Sequence, residues 1–297
     1  MEQGNSRSAL LSLVASMVIF GTIGIFRRHI PLPSSLIAMM RGVIGMAFLL
    51  SVLRIGHGKL DWAAIRANAP MLALSGALLG FNWIALFEAY RYTSVATATL
   101  CYYMAPIIVM LAAPWLLGEQ LTRKKLACVL TALAGMVLVS GVLDAGFSGR
   151  EILGVLFGLG AAALYAGVIL TNKRIKDISA YDKTIVQLGT SAVLLLPYTL
   201  LTGELSAVQM DLRAAVMLVL VGVVHTGVAY WLYFGCMSGL RAQTVALLSY
   251  IDPVVAIVLS ALLLGEKMTL LCALGAVLVL GATIAGEIPE KTKEKRK

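Results

Sequence analysis

The chain carries the same phrase twice. Pro106–Thr122 reads PIIVMLAAPWLLGEQLT, and Pro253–Thr269, 147 positions on, reads PVVAIVLSALLLGEKMT. The match is gapless, and Phe87/Phe234, Thr97/Thr244, Leu100/Leu247 and Tyr103/Tyr250 keep the same offset upstream. Each copy belongs to a run of five apolar stretches. An odd number of crossings sends the second copy into a membrane upside down relative to the first. The fold predicted is an all-α membrane protein with ten transmembrane helices, arranged as two inverted-topology five-helix repeats. Residues 1–146 form the first repeat, 147–287 the second, and 288–297 a basic cytoplasmic tail.

Composition requires the membrane. With 60% hydrophobic residues, 13% charged residues and a mean hydropathy of +0.90 over 297 residues, there is too little polar side chain to cover a water-soluble globule. Ten stretches approach the ~20 residues that cross ~30 Å of hydrocarbon: 9–26, 35–53, 70–90, 95–117, 126–143, 152–172, 184–201, 214–237, 242–264 and 270–286. The first is read as a span, not a cleaved leader: only Arg7 set against Glu2 precedes it, and no small-residue cleavage site follows. The four cysteines, Cys101, Cys128, Cys236 and Cys272, lie singly in apolar runs and read as packing residues.

The net charge of +9 is spread over short loops, with no basic face interleaved with aromatics, so no nucleic-acid partner is expected. Assigned to alternating sides, seventeen Lys and Arg fall on the side of the N-terminus and six (Arg27, Arg28, Arg91, Arg150, Arg213, Lys267) on the other. The excess of positive charge places both termini in the cytoplasm, at an inner (plasma) membrane. Arg123, Lys124 and Lys125 follow the first copy of the phrase where Leu270, Leu271 and Cys272 follow the second, so matching ends face opposite compartments. Inverted halves can exchange conformations and expose a midplane site to either side in turn, which is transporter architecture.

Within the phrase, Gly118 and Gly265 suit helix exits and Thr122 and Thr269 suit caps of the next helix; Glu119 and Glu266 read as structural residues of the turn between. The five-plus-five layout, the half-ending LLGEQLT and LLGEKMT, and the segment ALFEAYRYTSVATATLCYYMAP from Ala85 to Pro106 resemble the EamA-like branch of the drug/metabolite transporter superfamily. The resemblance covers nearly the whole chain. It implies a gradient-coupled or facilitative small-molecule carrier without a bound cofactor; members of that family move amino acids, other metabolites or drugs.

The site candidates are polar or rigid residues at mid-span. Pro106 and Pro253 sit near the centres of two long helices and free the carbonyls of Tyr102 and Ser249, a hinge or cavity lining. Asp252, whose repeat counterpart is Ala105, costs at least ~2.5 kcal/mol in mid-membrane unless it faces a cavity or a partner. His225 lies at a similar depth, so the two are candidates for a proton-coupling pair; a histidine bonded to a helix carbonyl is the plain alternative. Arg41 and Glu88 fall toward the other side, where a charge pair would gate the path or clamp a zwitterion, unless Glu88 merely reaches for the surface. Trp83, Tyr103 and Tyr250 lie deeper than an interfacial belt and are candidate cavity walls, with Asn82 and Gln187 adding polar contacts.

Gly76/Gly80 and Gly154/Gly158 have the spacing that lets helices approach closely. No nucleotide-binding loop, HExxH or Ser/His/Asp arrangement is present, so no enzyme is expected. The expected function is export of an amino acid or related metabolite by alternating access, possible as a monomer because one chain carries both halves. The second reading is efflux of lipophilic or quaternary cations, and a distant third is a multipass membrane enzyme.

Overall fold

The structure is a computed structural model that describes residues 2–27, 29–93, 95–140, 151–202, 210–264 and 270–288. The first half comprises α1 (Glu2–Arg27), α2 (Ser34–Ile55), α3 (Trp62–Tyr92), α4 (Val95–Tyr102), α5 (Ala105–Leu117) and α6 (Arg123–Ser140). The second comprises α7 (Glu151–Asn172), α8 (Ala180–Leu201), α9 (Leu212–Leu220) running through a π-helical stretch (Val221–Val228) into α10 (Ala229–Cys236), then α11 (Ala242–Leu248), α12 (Ile251–Leu264) and α13 (Leu270–Glu287). Among the described residues there is no strand.

Helix starts follow local chemistry. Asp61 accepts from the Ala63 and Ala64 amides at 3.0 Å to open α3, Ser179 from Asp182 N at 3.0 Å to open α8, and Asp211 from Ala214 N at 2.7 Å to open α9. Gly118, at φ 68°, ends α5 as a left-handed cap, and the Thr122 hydroxyl accepts from Lys125 N to open α6. These are the exit and cap the sequence predicts; the second copy, Gly265–Thr269, lies outside the described residues.

Among the described residues, seven helical segments are long and apolar enough to cross a bilayer, and Ala242–Ala256 and Ala273–Gly286 are shorter apolar helices. Large apolar side chains stand outward, among them Trp115, Leu201, Leu212 and Leu262, the last at 73% exposure, as lipid-facing residues do. The chain is a multi-pass membrane protein.

The packing repeats itself under exchange of halves. α3 runs along α7, and its counterpart α10 runs along α1; α3 meets α8, and the π-helical stretch meets α2; α5 meets α7, and α12 meets α1. The pairs α2–α8 and α6–α13 are their own counterparts, so they straddle the pseudo-twofold axis. One core draws on both halves, with Leu13, Leu79, Val109, Ile169, Leu188 and Phe234 all buried in it.

Close helix crossings rest on glycine. A Cβ at Gly76 would stand 2.8 Å from the Gln187 carbonyl, one at Gly158 2.8 Å from the Cys101 Cβ, and one at Gly135 2.7 Å from the Gly275 carbonyl on α13. Gly135→Val is therefore expected to overpack the α6–α13 crossing by about 1–3 kcal/mol. A thermal melt in detergent should show a Tm lower by several degrees, while Gly281→Val, whose Cβ would meet nothing within 4 Å, leaves Tm unchanged.

Candidate functional site

A residue that touches its own repeat counterpart must lie on the axis relating the halves. Two pairs do so. The Tyr103 and Tyr250 rings are 6.0 Å apart, and the Tyr250 hydroxyl donates to the Tyr103 carbonyl at 2.9 Å. Trp83 and Tyr230, also 147 apart in sequence, meet edge to face at 6.1 Å. In an inverted repeat that axis lies in the membrane plane, so both pairs mark mid-depth.

The two expected long helices are broken here rather than kinked. α4 gives way to α5 across Tyr103 and Met104, and α11 to α12 across Ser249 and Tyr250. Pro106 and Pro253 consequently sit in the first turn of a new helix, where the missing N–H has no partner to lose. This corrects the expectation of prolines inside continuous helices.

The junction encloses a cavity of about 40 Å³, room for a few waters. Phe20, Tyr102, Tyr103 and Tyr165 form aromatic walls, with Pro106, Ser249 and Asp252 also lining it. The Tyr165 and Tyr233 hydroxyls meet at 2.6 Å behind it. Asp252 stands in the first turn of α12, where the helix dipole favours a carboxylate. Among the described residues no Lys, Arg or His forms an ion pair with it.

Beside this cavity runs a polar string set by the π-helical stretch. Arg41 Nε donates to Thr226 Oγ1 at 2.9 Å, and that hydroxyl donates to the Val221 carbonyl at 3.2 Å, five residues back. The Arg41 guanidinium lies 5.5 Å over the Trp83 ring. His225, 2% exposed, has Nε2 at 2.8 Å from the Thr22 hydroxyl, which itself donates to the Ile19 carbonyl. Those partners assign Nε2 as the donor and leave Nδ1 a buried acceptor with no bond.

Two expected pairings are not formed. His225 and Asp252 pack at neighbouring positions of α1 without bonding each other: His225 bonds Thr22, and the Asp252 carbonyl would stand 2.7 Å from a Cβ at the adjacent Gly21. Glu88 is not with Arg41; it accepts from Arg91 at 3.0 and 3.2 Å and from the Tyr198 hydroxyl. Arg91 and Tyr198 line a vestibule of about 530 Å³ on the face opposite the N-terminus. Asn82 donates to the Ala161 carbonyl at 2.7 Å, and Gln187 donates to Asn172, which bonds Ser75, so Gln187 joins α8 to α7 and α3 away from the cavity. Sequence reasoning missed Phe20, Thr22, Tyr165 and Thr226; Tyr165, a lone aromatic in the small-residue run LGAAALYAGV, carried the one usable signal.

The N-terminal face is held by charge. Lys173 donates to the Met237 carbonyl at 3.1 Å and to that of Leu240, and Lys183 to the Phe234 carbonyl at 3.0 Å, at the end of α10. Glu119 accepts from the Ala242 amide at 2.7 Å and from Gln243 N at 3.3 Å, at the start of α11. Burial pushes the Lys173 ammonium below the ordinary lysine value, and nearby Glu119 opposes that shift. An opening of about 250 Å³ on this face, lined by Ser12, Cys236 and Ser238, is smaller than the vestibule opposite.

Inverted repeats, broken half-helices meeting on the axis and an aqueous recess on each face define a membrane transporter. The EamA-like transporter family matches residues 7–141 and again 152–285, and the chain belongs to that family. The uncharacterized transporter YxxF of Bacillus subtilis is 31% identical over 92% of this chain and 87% of its own length. The uncharacterized inner membrane transporter YicL of Salmonella typhimurium is 25% identical over 95% of both chains, and protein RarD of Salmonella typhi 23% identical over 90% of both. A crystal structure at 20% identity shares the fold with a TM-score of 0.83 over 94% of this chain and 97% of that one. A small-molecule substrate and a lipid environment follow from the family.

Glu119→Gln should loosen the charged contacts on the N-terminal face. With Cys101, Cys128 and Cys272 changed to Ser, labelling of the buried Cys236 by a water-soluble maleimide is expected to quicken several-fold in Glu119→Gln. Equal rates in the two proteins would show that Glu119 does not hold this face shut.

Proposed function

We propose that the protein is an alternating-access exporter of small amine-bearing metabolites, amino acids foremost. The observation that carries this reading is Asp252: an unpaired carboxylate lining an aromatic-walled cavity where two half-helices meet on the axis. A carboxylate so placed needs a cation, and an ammonium backed by tyrosine faces is the chemistry it suits.

In the proposed cycle, the halves 1–146 and 147–287 rock about the axis and Pro106 and Pro253 mark the hinges. Closure of the N-terminal face by Glu119, Lys173 and Lys183 leaves the opposite vestibule as the wider mouth. Tyr103 walls the seat with Tyr250 packed behind it, Trp83 backs the site through Tyr230, Asn82 beside Trp83 anchors α3 to α7, and Glu88 guards the mouth. His225, with a free Nδ1, is the proton acceptor that would couple transport to a pH gradient. The basic loops favour cytoplasmic termini. One chain holds both halves of the site, so a monomer suffices. The aromatic walls around a lone carboxylate also favour a second reading, efflux of organic cations.

The test is counterflow in proteoliposomes with radiolabelled amino acids and a quaternary ammonium cation. A charge-assisted bond of about 1.5–3 kcal/mol predicts that Asp252→Asn slows amino-acid exchange about 10- to 100-fold while gel filtration shows an intact monodisperse protein. Unchanged exchange in Asp252→Asn would remove this reading. Movement of the quaternary cation alone would replace it with the second.

A further inference from the structure

Arg41 is a half-buried cation with no carboxylate partner among the described residues. It lies seven residues into α2, about 10 Å below that helix's start at 1.5 Å per residue. At such depth a guanidinium costs several kcal/mol unless something pairs with it. Its Nε is held by Thr226 and its face rests on Trp83, and among the described residues no carboxylate pairs with the rest of the fork. Neither nearby acid pairs with it: Glu88 is bonded to Arg91 and Tyr198, and Asp252 lines the central cavity.

The surrounding residues orient the fork rather than neutralise it. Thr226 spends its own proton on the carbonyl of Val221, so its oxygen faces Arg41 as an acceptor and fixes the plane of the guanidinium. The Trp83 ring under that plane is itself fixed on the axis against Tyr230. Tyr230 lies within electrostatic reach of both Arg41 and Asp252, and Phe20 links it at 5.0 Å to the wall of the central cavity. A planar cation held on two sides, with its terminal nitrogens left over, is built to receive a planar anion with two oxygens.

We propose that Arg41 is the anion-receiving half of the substrate seat: it takes the carboxylate of a zwitterion whose ammonium goes to Asp252. The inference rests on the amine-binding reading of Asp252 and adds the carboxylate requirement, which separates amino acids from organic cations. Arg41, Asp252 and His225 have Leu188, Ala105 and Leu78 as repeat counterparts, so the polar seat is single-copy within a duplicated frame.

The experiment compares leucine and phenylalanine with their amides, leucinamide and phenylalaninamide, as counterflow substrates in proteoliposomes. Both members of each couple present an ammonium; only the acid presents a carboxylate. Wild type is expected to exchange the acids and to discriminate against the amides. Arg41→Gln should lose acid exchange about 10- to 100-fold, the loss of a charge-assisted contact, and bring the acid-to-amide ratio to one or below. Arg41→Lys, which keeps the charge without the fork, should fall between.

An acid-to-amide ratio that stays at the wild-type value in Arg41→Gln, whether both rates hold or both fall, overturns the proposal. Wild type that moves amides but not acids overturns it while leaving the Asp252 reading intact. Wild type that moves neither overturns both. Should Arg41→Gln fail to fold, the drop in ratio in Arg41→Lys carries the test, with a thermal shift by leucine but not leucinamide in wild type as the second measurement.

Discussion

A backbone interrupted inside a bilayer must find its hydrogen bonds within the protein, and here two interruptions meet each other. The break between α4 and α5 exposes the Tyr103 carbonyl, and the hydroxyl of Tyr250, which sits at the opposite break, supplies the donor. Because the two residues are repeat counterparts, this single bond crosses the axis and ties the halves where neither has a continuous helix. It also fixes what the breaks expose. The first turns of α5 and α12 are aimed at one cavity, which brings Pro106 and Asp252 to its wall. Remove the constraint that broken backbone must be satisfied, and there is no reason for polar chemistry to gather at this depth.

The frame is symmetric and the chemistry on it is not. Helix pairs and on-axis aromatics have counterparts, whereas Asp252 faces Ala105 across the repeat, Lys173 faces Phe26 and Lys183 faces Leu36. A symmetric scaffold gives two states of similar packing. On the proposed reading, single-copy charges then decide what is bound and which face is held shut. The division explains why the chain can hold apolar sequence almost everywhere and still be specific.

Much of this was legible in the residues. The duplicated phrase gave the inverted halves because register and parity are properties of sequence alone, and the Gly118 exit and Thr122 cap are local, so they needed no tertiary information. The aromatics singled out in the sequence gather on the axis, where Tyr103 meets Tyr250 and Trp83 meets Tyr230. Rotation about the helix axes was not legible. His225 and Asp252 pack at neighbouring positions of α1 yet form no pair, and Glu88 turns to Tyr198 instead of Arg41. Counting at 1.5 Å per residue fixes height but not azimuth, and the π-helical stretch shifts azimuth further, since its wider turn moves Thr226 toward Arg41. A proline near the middle of a long apolar run likewise does not say whether the helix bends or ends; the extra fact needed is whether a neighbour can satisfy the freed carbonyl.

The contacts that close the N-terminal face are also suited to opening. Glu119, Lys173 and Lys183 bond backbone groups at the end of α10 and the start of α11, not one another, so separation leaves helix-end amides and carbonyls that water can take up. Each charge-assisted bond is worth about 1.5–3 kcal/mol net, and that value shrinks as water enters. A carrier needs two states separated by only a few kcal/mol; contacts exchanged for water meet that condition, where a large buried apolar interface would not. The shared apolar core, by contrast, stays packed through both halves. In the proposed cycle, rocking is a trade of polar end-contacts on one face against opening on the other, around a centre that the Tyr103–Tyr250 bond keeps together.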